Sequence, residues 1–331
     1  MVDKMAFGEG SAEHPSIKVI GCGGAGCNIV RELGSYNIPH LQRAFLNQRR
    51  ELRPHHFEEA HTIPLELDHR TDTEPEHAEA ATWREHDSIK RFFEGPGHGA
   101  YLSFVVCGLG GMTGSGAAPA LAEIARSQKA VTIALTVHPF RLEGPRREHN
   151  TKWSMEKLAS RAHSIVSIHN DKLMTIAPNL SFSQALQVTN QMTLMPITEI
   201  AALATRADLK NLRHVLDCTE VHIGFGGGDL KSGLTAAVDE VMGGFMPGAT
   251  HKKDEWDRAL VTVRAGPTIP DRDIENIVGC IGAELHPHGK LLWGTIRDED
   301  MEGDVKVMAI VGRGRKFHDA EPGTMNLDYY R

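Results

Sequence analysis

The chain has 331 residues, of which 40% are hydrophobic and 24% charged, and its net charge is −7. These values are typical of a globular protein with one large core or two domains, and they disfavour general nucleic-acid binding. The apolar runs are too short for a membrane span, and five cysteines without paired spacing favour a reducing cytoplasm over a disulfide framework. We therefore expect a cytoplasmic protein without a nucleic-acid partner. The 19 histidines show no zinc-like spacing and are expected at the surface.

Strand-like apolar runs alternate with helical stretches through the first half of the chain. The runs lie at 17–20, 43–46, 102–107, 131–137 and 164–168. Their alternation with amphipathic stretches predicts a parallel, doubly wound α/β sheet. Residues 183–204 predict one long helix, in which Pro196 should produce a kink or a short break. Further strands and helices from 221 to 311 predict a smaller α/β domain, whereas residues 48–98 remain unassigned.

The first glycine-rich loop, residues 21–26, reads GCGGAG and follows the run 17–20. It satisfies the dinucleotide fingerprint G-x-G-x-x-G in a strand–turn–helix context. Enzymes of that class next need an acid at the end of the second strand to hold ribose. This chain has Asn47 and Gln48 there, followed by Arg49 and Arg50, which can accept a 2′-phosphate. An NADP-dependent oxidoreductase is therefore one hypothesis.

The second glycine-rich loop, residues 108–119, reads GLGGMTGSGAAP and contains five glycines and two hydroxyls. Glycine permits unusual backbone dihedrals, free N–H groups can point inward, and a following helix N-terminus adds positive potential. The loop therefore predicts a phosphate cradle. A dinucleotide enzyme has no use for a second cradle, so the two loops together favour a site that holds two or three phosphates.

At these motifs the chain resembles the FtsZ/tubulin superfamily. Residues 110–119 match its signature, and the further matching segments are 17–28, 138–147, 169–174, 224–237 and 291–312. The resemblance implies a Rossmann-like parallel-sheet GTPase domain joined by a long central helix to a smaller α/β domain. The implied boundaries are a flexible tail at 1–16, the nucleotide-binding domain at 17–182, the central helix at 183–204, the second domain at 205–313 and a tail at 314–331.

The same resemblance implies GTP or GDP as ligand, with Mg²⁺ held through the phosphates and no protein metal ligand. It assigns Glu143 and Arg147 to the ribose and phosphate edge, Asn170 to guanine, and Phe182 to base stacking, while Gln187 falls near the base. The phosphate loops supply the remaining candidate contacts: Gly23, Gly24, Ala25, Asn28, Gly110, Gly111, Met112, Thr113, Gly114, Ser115 and Gly116.

The chain departs from the family where hydrolysis is completed by the next subunit of a filament. In the matching stretch, 203–210, Asp208 is kept as the catalytic candidate, but Thr205 occupies the second acid position. Threonine cannot act as a base near neutral pH, and losing a general base costs roughly 10²–10⁴ in rate. The family's glycine-rich γ-phosphate sensor also corresponds to 68–81, which is acidic and lacks glycine. We therefore predict a weak GTPase.

The resemblance favours a cytoskeletal GTP-binding protein that assembles head to tail into filaments, in cell division or cell shape. An alternative is an assembly regulator with little or no hydrolysis, which joins or blocks the filaments of an FtsZ relative. The oxidoreductase hypothesis leaves the second loop unused. The end of the chain, 326–331 (NLDYYR), loosely resembles the FtsZ peptide that docks on membrane-anchoring adaptors.

Overall fold

The computed structural model describes residues 3–6, 15–52, 61–68, 74–94, 102–176, 179–204, 209–229, 237–241 and 256–314. Their strands are, in chain order, β1 (Asp3–Ala6), β2 (Ile17–Cys22), β3 (Leu41–Gln48), β4 (His61–Leu65), β5 (Leu102–Gly108), β6 (Val131–His138), β7 (Ser164–His169), β8 (Cys218–Asp229), β9 (Arg258–Ala265), β10 (Lys290–Arg297) and β11 (Asp304–Gly314). The helices are α1 (Gly23–Glu32), α2 (Pro75–Arg84), α3 (His86–Glu94), α4 (Met112–Ser127), α5 (Pro145–Arg161), α6 (Asn170–Ile176), α7 (Phe182–Leu203), α8 (Leu209–Leu216) and α9 (Asp271–Ala283).

The described residues form two compact units. The first unit takes in those of His14–Thr198, and the second takes in those of Met1–Glu13 and Glu199–Asp319. No helix in the described part of the chain is both long and apolar enough to cross a membrane.

The first unit is built on a six-stranded sheet in the order β4-β3-β2-β5-β6-β7, with every neighbouring pair parallel. Strands β2 and β6 are buried along their whole length, as continuous apolar runs covered on both faces must be. The chain adds strands to one side of β2 and then to the other, so the strand order reverses between β2 and β5. Ligands of open α/β sheets bind at such a reversal. The predicted α/β fold with a parallel sheet is confirmed.

The stretch 48–98, which the sequence left unassigned, contributes β4, α2 and α3. Helix α2 packs on α4 so closely that a Cβ on Gly116 would lie 2.0 Å from the carbonyl oxygen of Pro75. Ile63, Ile89 and Phe93 are fully buried in the core of this unit. This stretch is rich in His and Glu and has few apolar positions. Its hydrophobic pattern is therefore too weak to predict these elements.

Helix α7 runs from Phe182 to Leu203 with Pro196 in its interior. The predicted long helix is therefore present, and Pro196 does not interrupt it. A proline inside a helix removes one backbone hydrogen bond, a loss that tertiary packing can offset. Leu194 and Ile197, which lie close to Pro196 in this helix, are fully buried.

The second unit is a five-stranded mixed sheet in the order β1-β10-β9-β11-β8. Strands β1, β10 and β9 are parallel, whereas β11 is antiparallel to β9 and β8. Helix α9 packs its apolar side, which includes Ile274, Ile277 and Ile281, in the same buried cluster as Val261 and Val263 of β9.

Strand β1 differs from the flexible tail predicted for 1–16. Asp3 lies opposite Lys290 and Ala6 opposite Trp293, so β1 forms the outer strand of the second sheet. The physical reason is that an open edge presents unpaired backbone groups, which even a four-residue extended segment can satisfy. Such pairing depends on backbone atoms and leaves little signal in side-chain pattern.

Candidate nucleotide-binding site

The two glycine-rich loops open at the same edge of the first unit. Strand β2 ends at Cys22, and α1 begins at Gly23. On the neighbouring strand, β5 ends at Gly108, and α4 begins at Met112. Because Cys22 is the register partner of Cys107, both loops and both helix N-termini lie side by side. This is the crevice at which the strand order reverses.

The two loops fit together only because glycine occupies the contact points. Gly23 has φ +70°, and a Cβ on it would lie 2.8 Å from the nitrogen of Gly114. A Cβ on Gly114 would lie 2.3 Å from the oxygen of Gly108, and one on Gly108 would lie 2.6 Å from the Cβ of Ala25. Any larger residue at these positions forces the loops apart. The glycines therefore fix the spacing between the N-termini of α1 and α4.

Other positions in the loops face open space. A Cβ on Gly24 or Gly111 would meet nothing within 4 Å. Ala25 and Asn28 are exposed, and Met112 is half-buried. None of these five residues is fully buried, and all five are among the predicted contacts.

Both helix N-termini lack an acceptor from their own side chains. The N-cap residues, Cys22 for α1 and Gly111 for α4, make no side-chain capping hydrogen bond, and neither first turn contains an acidic residue. The first N–H groups of a helix need an acceptor, and the helix dipole favours a negative one. Two such N-termini at one crevice are suited to the phosphate groups of a ligand.

The thiols beneath the loops add no negative charge. Cys22 and Cys27 are both buried. The hydrogen-bonded thiol of Cys107, together with burial, raises the pKa of Cys22 well above its usual value. Burial raises the pKa of Cys27 to about 12. Both thiols therefore stay neutral near pH 7, which keeps the crevice favourable for an anion.

Ser115 and Gly116, two of the predicted contacts, lie inside the first unit rather than at the opening. The Ser115 hydroxyl accepts a hydrogen bond from the Gly110 nitrogen at 2.9 Å, and its carbonyl accepts one from the Ser154 hydroxyl at 2.7 Å. Asn150 donates to the Gly110 carbonyl at 3.0 Å. This network shapes the second loop, and no sequence pattern predicts the part that Asn150 and Ser154 play in it.

Glu143 and Arg147 lie beside the second loop. Glu143 accepts a hydrogen bond from the Phe140 nitrogen at 2.8 Å and pairs with Arg147 at 3.1 Å. A Cβ on Gly110 would lie 2.9 Å from the Cβ of Arg147. Arg147 therefore lies against the second glycine-rich loop, and Glu143 is linked to that loop through Arg147.

Asn170 and Phe182 lie at the far end of the same sheet edge. Asn170 is buried, and its Oδ1 accepts a hydrogen bond from the Thr189 hydroxyl at 2.9 Å. Phe182 is 62% exposed, and its ring centre lies 5.4 Å from that of Phe140. Gln187 is exposed on α7. The buried ring of Phe140, for which the sequence predicted no role, therefore packs beside the exposed ring of Phe182.

Two stacked histidines correct the expectation that histidines lie at the surface. His138 ends β6 and His169 ends β7; they are register partners with ring centres 4.1 Å apart. His138 is buried, and its burial, followed by the charges of His169 and Lys172, lowers its pKa well below the usual value. The sequence signal is that both histidines directly follow the last apolar residue of a strand.

Four other residues that the sequence analysis singled out have different outcomes. Arg49 donates to Glu66 at 2.6 Å and Arg50 pairs with Glu51 at 3.3 Å, so both arginines proposed for a 2′-phosphate have carboxylate partners. Asp208, the catalytic candidate, lies outside the described residues, as does Thr205. Its position relative to the crevice stays a prediction.

The sheet reversal, the glycine contacts and the uncapped helix N-termini define an α/β protein with a site suited to phosphate groups. A model of the Tubulin/FtsZ family GTPase domain matches residues 68–178. Cell division protein FtsZ 1 of Archaeoglobus fulgidus is 30% identical over 308 residues, which cover 89% of this chain and 81% of the relative. The FtsZ 1 protein of Thermococcus kodakarensis is 29% identical over 304 residues and covers 89% and 80%. The chain belongs to the tubulin/FtsZ family of GTPases.

Solved structures support the fold. The empty FtsZ dimer of M. jannaschii superposes with a TM-score of 0.78 at 24% identity, covering 95% of this chain and 96% of that one. The GTPγS-bound protofilament of CetZ2 from Haloferax volcanii gives a TM-score of 0.70 at 19% identity, with coverages of 92% and 95%. The predicted family and architecture are confirmed.

Proposed function

We propose that this protein binds GTP and GDP between the β2–α1 and β5–α4 loops. The observation that carries the proposal is the pair of helix N-termini, at Gly23 and Met112, that open at one crevice without a side-chain acceptor. The di- or triphosphate supplies the missing acceptors, and the open positions at Gly24 and Gly111 leave room for it. Glu143 and Arg147 lie at the ribose edge of this proposed site.

The base would lie toward Asn170, Phe182 and Gln187. The exposed ring of Phe182 offers a stacking surface, and the buried Asn170 is held by Thr189 so that its amide group is fixed in place. Mg²⁺ would be held through the phosphates. Phosphate oxygens are hard ligands of the kind that Mg²⁺ prefers, so the nucleotide itself would supply most of the coordinating oxygens.

We further propose that the protein assembles head to tail and hydrolyses GTP slowly at the contact between subunits. Asp208 of one subunit would orient water at the nucleotide of the next, and the missing acid at Thr205 would limit the rate. A heterologous contact that does not close produces an open filament. The support is family membership and the name of the relatives, cell division protein FtsZ.

Two partners follow from this proposal. Further copies of the chain or an FtsZ relative would form the filament, in a cytoplasmic role in division or cell shape. The tail at 326–331 would dock on a membrane-anchoring adaptor. Deleting 324–331 should release the protein from its cellular site, and unchanged localisation would rule out the adaptor.

The identity of the bound nucleotide tests the binding proposal. Protein purified without added nucleotide is denatured, and the released compounds are separated by ion-pair chromatography. We expect GDP and GTP; adenine nucleotides alone, or NADP, would contradict the proposal. Gly114→Ala should lose most of the nucleotide because its Cβ would lie 2.3 Å from the Gly108 oxygen. The matched control is Gly227→Ala in the second unit, where the nearest atom would be 3.7 Å away.

Phosphate release and pelleting test the assembly proposal. GTP should increase the pelleted fraction, and the hydrolysis rate per subunit should rise steeply with protein concentration. Bound nucleotide without GTP-dependent pelleting would instead support the regulator hypothesis, which Thr205 favours. A rate per subunit that does not change with concentration would contradict catalysis at a subunit contact.

A further inference from the structure

Strand β3 ends at the same crevice as the two glycine-rich loops. Leu46 is the register partner of Cys22, the last residue of β2, so Gln48 lies two residues beyond the end of β2. This offset is about 7 Å along the strand and brings Gln48 to the level of the first loop. Gly23 of that loop also adjoins the second loop, since a Cβ on it would lie 3.6 Å from the carbonyl carbon of Thr113.

The side chain of Gln48 contacts the first turn of α4. Its Nε2 donates a hydrogen bond to the hydroxyl oxygen of Thr113 at 3.4 Å. Thr113 is the second residue of α4 and is buried. The backbone of Gln48 is held in place, because its nitrogen donates to Oδ1 of the buried Asn47 at 2.9 Å. The amide group of Gln48 therefore lies against the phosphate cradle.

The hydroxyl of Thr113 is used differently from those of other helical threonines in this protein. Thr82, Thr151 and Thr193 each donate to the carbonyl four residues earlier, at 2.7 to 2.8 Å. Thr113 instead accepts a hydrogen bond from Gln48, and its hydroxyl donates to no acceptor in the part of the chain that the structure describes. Because a hydroxyl can accept and donate at once, this contact leaves the Thr113 proton available to a ligand.

A second polar group at this contact is also unmatched. Oε1 of Gln48 is buried and has no hydrogen-bond partner among the described residues. Buried polar groups are normally hydrogen-bonded, so such groups beside a crevice indicate a ligand or an ordered water. The Thr113 proton requires an acceptor, which a phosphate oxygen supplies, whereas Oε1 of Gln48 requires a donor, which water supplies.

We propose that Gln48 is a positioning residue of the nucleotide site, whose amide orients the Thr113 hydroxyl so that this hydroxyl donates to a phosphate oxygen. The proposal rests on the nucleotide-binding function proposed above. A hydrogen bond to a charged oxygen is stronger than one between neutral groups, so the direction of the Thr113 proton affects affinity. Gln48 acts through Thr113 and needs no contact of its own with the phosphate.

The test measures the dissociation constant of GDP for the full-length protein by calorimetry, after bound nucleotide has been removed. Gln48→Leu removes the amide, and Thr113→Val replaces the hydroxyl with a methyl group. These two variants and the double variant form a double-mutant cycle. The matched control is Gln128→Leu, because Gln128 also donates to a hydroxyl, that of Ser127 at 2.9 Å, but at the C-terminal end of α4.

Gln48→Leu should raise the dissociation constant of GDP about 3- to 10-fold, and Thr113→Val should raise it about 10-fold or more. In the Thr113→Val background, Gln48→Leu should change it by less than about twofold, because no hydroxyl remains to be oriented. Gln128→Leu should leave it unchanged. Equal effects of Gln48→Leu in the two backgrounds would overturn the inference, because Gln48 would then act without Thr113.

Gln48→Glu is a second test that keeps the shape of the side chain. A carboxylate cannot donate, so the Thr113 hydroxyl would donate to it and turn its proton away from the phosphate. GDP should therefore bind more weakly to Gln48→Glu than to Gln48→Leu, whereas Thr113→Ser, which keeps a hydroxyl, should retain most of the affinity. Native affinity in Gln48→Glu would overturn the inference, because the amide donor would then be unnecessary.

The failure of the proposed function has a different signature. If the native protein does not bind GDP, nucleotide binding itself is wrong, and Gln48 has no ligand to serve. If the native protein binds GDP and the effects of Gln48→Leu and Thr113→Val simply add, only the role of Gln48 is wrong.

Discussion

At the scale of single residues, the glycines of the two loops were predictable because their role is conformational. A positive φ, as at Gly23 and Gly110, and backbone contacts that exclude a Cβ demand glycine whatever the rest of the fold does. The histidine pair was not predictable in the same way. His138 and His169 are 31 residues apart in the sequence and meet only because β6 and β7 are neighbours in register.

The first prediction concerns the buried His138. Its pKa in the folded protein is lowered, first by burial and then by His169 and Lys172, so the folded state binds its proton more weakly than the unfolded chain does. Its neutral form contributes stability above a pH of about 6.5, the unfolded value, and that contribution falls as the pH drops further. The loss should reach up to about 1.4 kcal/mol per pH unit below that value.

Urea unfolding of the native protein and of His138→Gln at pH 7.5 and 5.5 checks this. We expect the native protein to lose more stability on acidification than His138→Gln, which cannot bind the proton. The exposed His149→Gln should behave like the native protein. If His138→Gln and the native protein lose stability equally, the histidine pair is not what responds to pH.

At the scale of elements, charged side chains join helices that the hydrophobic pattern alone would leave loosely specified. Glu79 of α2 pairs with Lys157 and Arg161 of α5. Burial raises the pKa of Glu79, but hydrogen bonds from the two cations outweigh this and lower it overall. The contribution of this cluster is therefore present above a pH of about 4.5 and is lost on acidification.

Glu79→Gln should lower the free energy of unfolding by about 1–2 kcal/mol at pH 7, between the values for exposed and fully buried ion pairs. The difference from the native protein should shrink toward pH 3.5. Chemical unfolding at both pH values measures it. Glu148→Gln, which removes an exposed pair with Lys152 on α5, should cost much less than Glu79→Gln, because solvent screens an exposed ion pair. Equal losses for the two variants would contradict the role of Glu79.

A second charged cluster lies in the second unit. Arg264 of β9 donates through Nε and Nη2 to one oxygen of Glu199, at 3.1 and 2.9 Å, and through Nη1 to Asp298 at 3.1 Å. Burial raises the pKa of Glu199, and the charge of Arg264 offsets only part of that rise. A raised carboxylate pKa means that the folded state is favoured at low pH and loses stability as the pH rises above about 4.5.

Arg264→Lys keeps the charge but removes the planar fork, so it should cost about 2–3 kcal/mol of unfolding free energy at pH 7. The cost should be smaller at pH 4.5, where a buried Glu199 can take up a proton. Thermal and urea unfolding at the two pH values measure the cost, with the exposed Arg272→Lys as control. A cost that is the same at both pH values would show that Glu199 does not respond to the loss of the fork.

At the scale of the whole molecule, the fold was predictable because five apolar runs and two glycine-rich loops fall in the order that a doubly wound sheet requires. Strand β1 was not, since Asp3–Ala6 carry no alternation and pair with residues almost 290 positions away. The proposed catalytic contact is even harder to predict from the sequence. If Asp208 acts on the nucleotide of another subunit, no fold of a single chain contains the complete site.

This composite arrangement makes a prediction that only an assembly can satisfy. Asp208→Ala should reduce GTP hydrolysis by about 10²–10⁴, because the general base is lost while the nucleotide site of the same subunit stays intact. Gly114→Ala should also be inactive, because its Cβ would lie 2.3 Å from the Gly108 oxygen and disturb the phosphate cradle, yet it keeps Asp208. Mixed in equal amounts, the two inactive variants should recover about a quarter of the native rate. Half of the subunits then have an intact cradle, and half of their neighbours carry Asp208.

Phosphate release is measured for each variant alone and for mixtures at several ratios, with Asp208→Ala plus Gly227→Ala, which alters neither loop, as the positive control. A mixture no faster than its components, beside an active control mixture, would place the base and the nucleotide in the same subunit or remove Asp208 from the reaction.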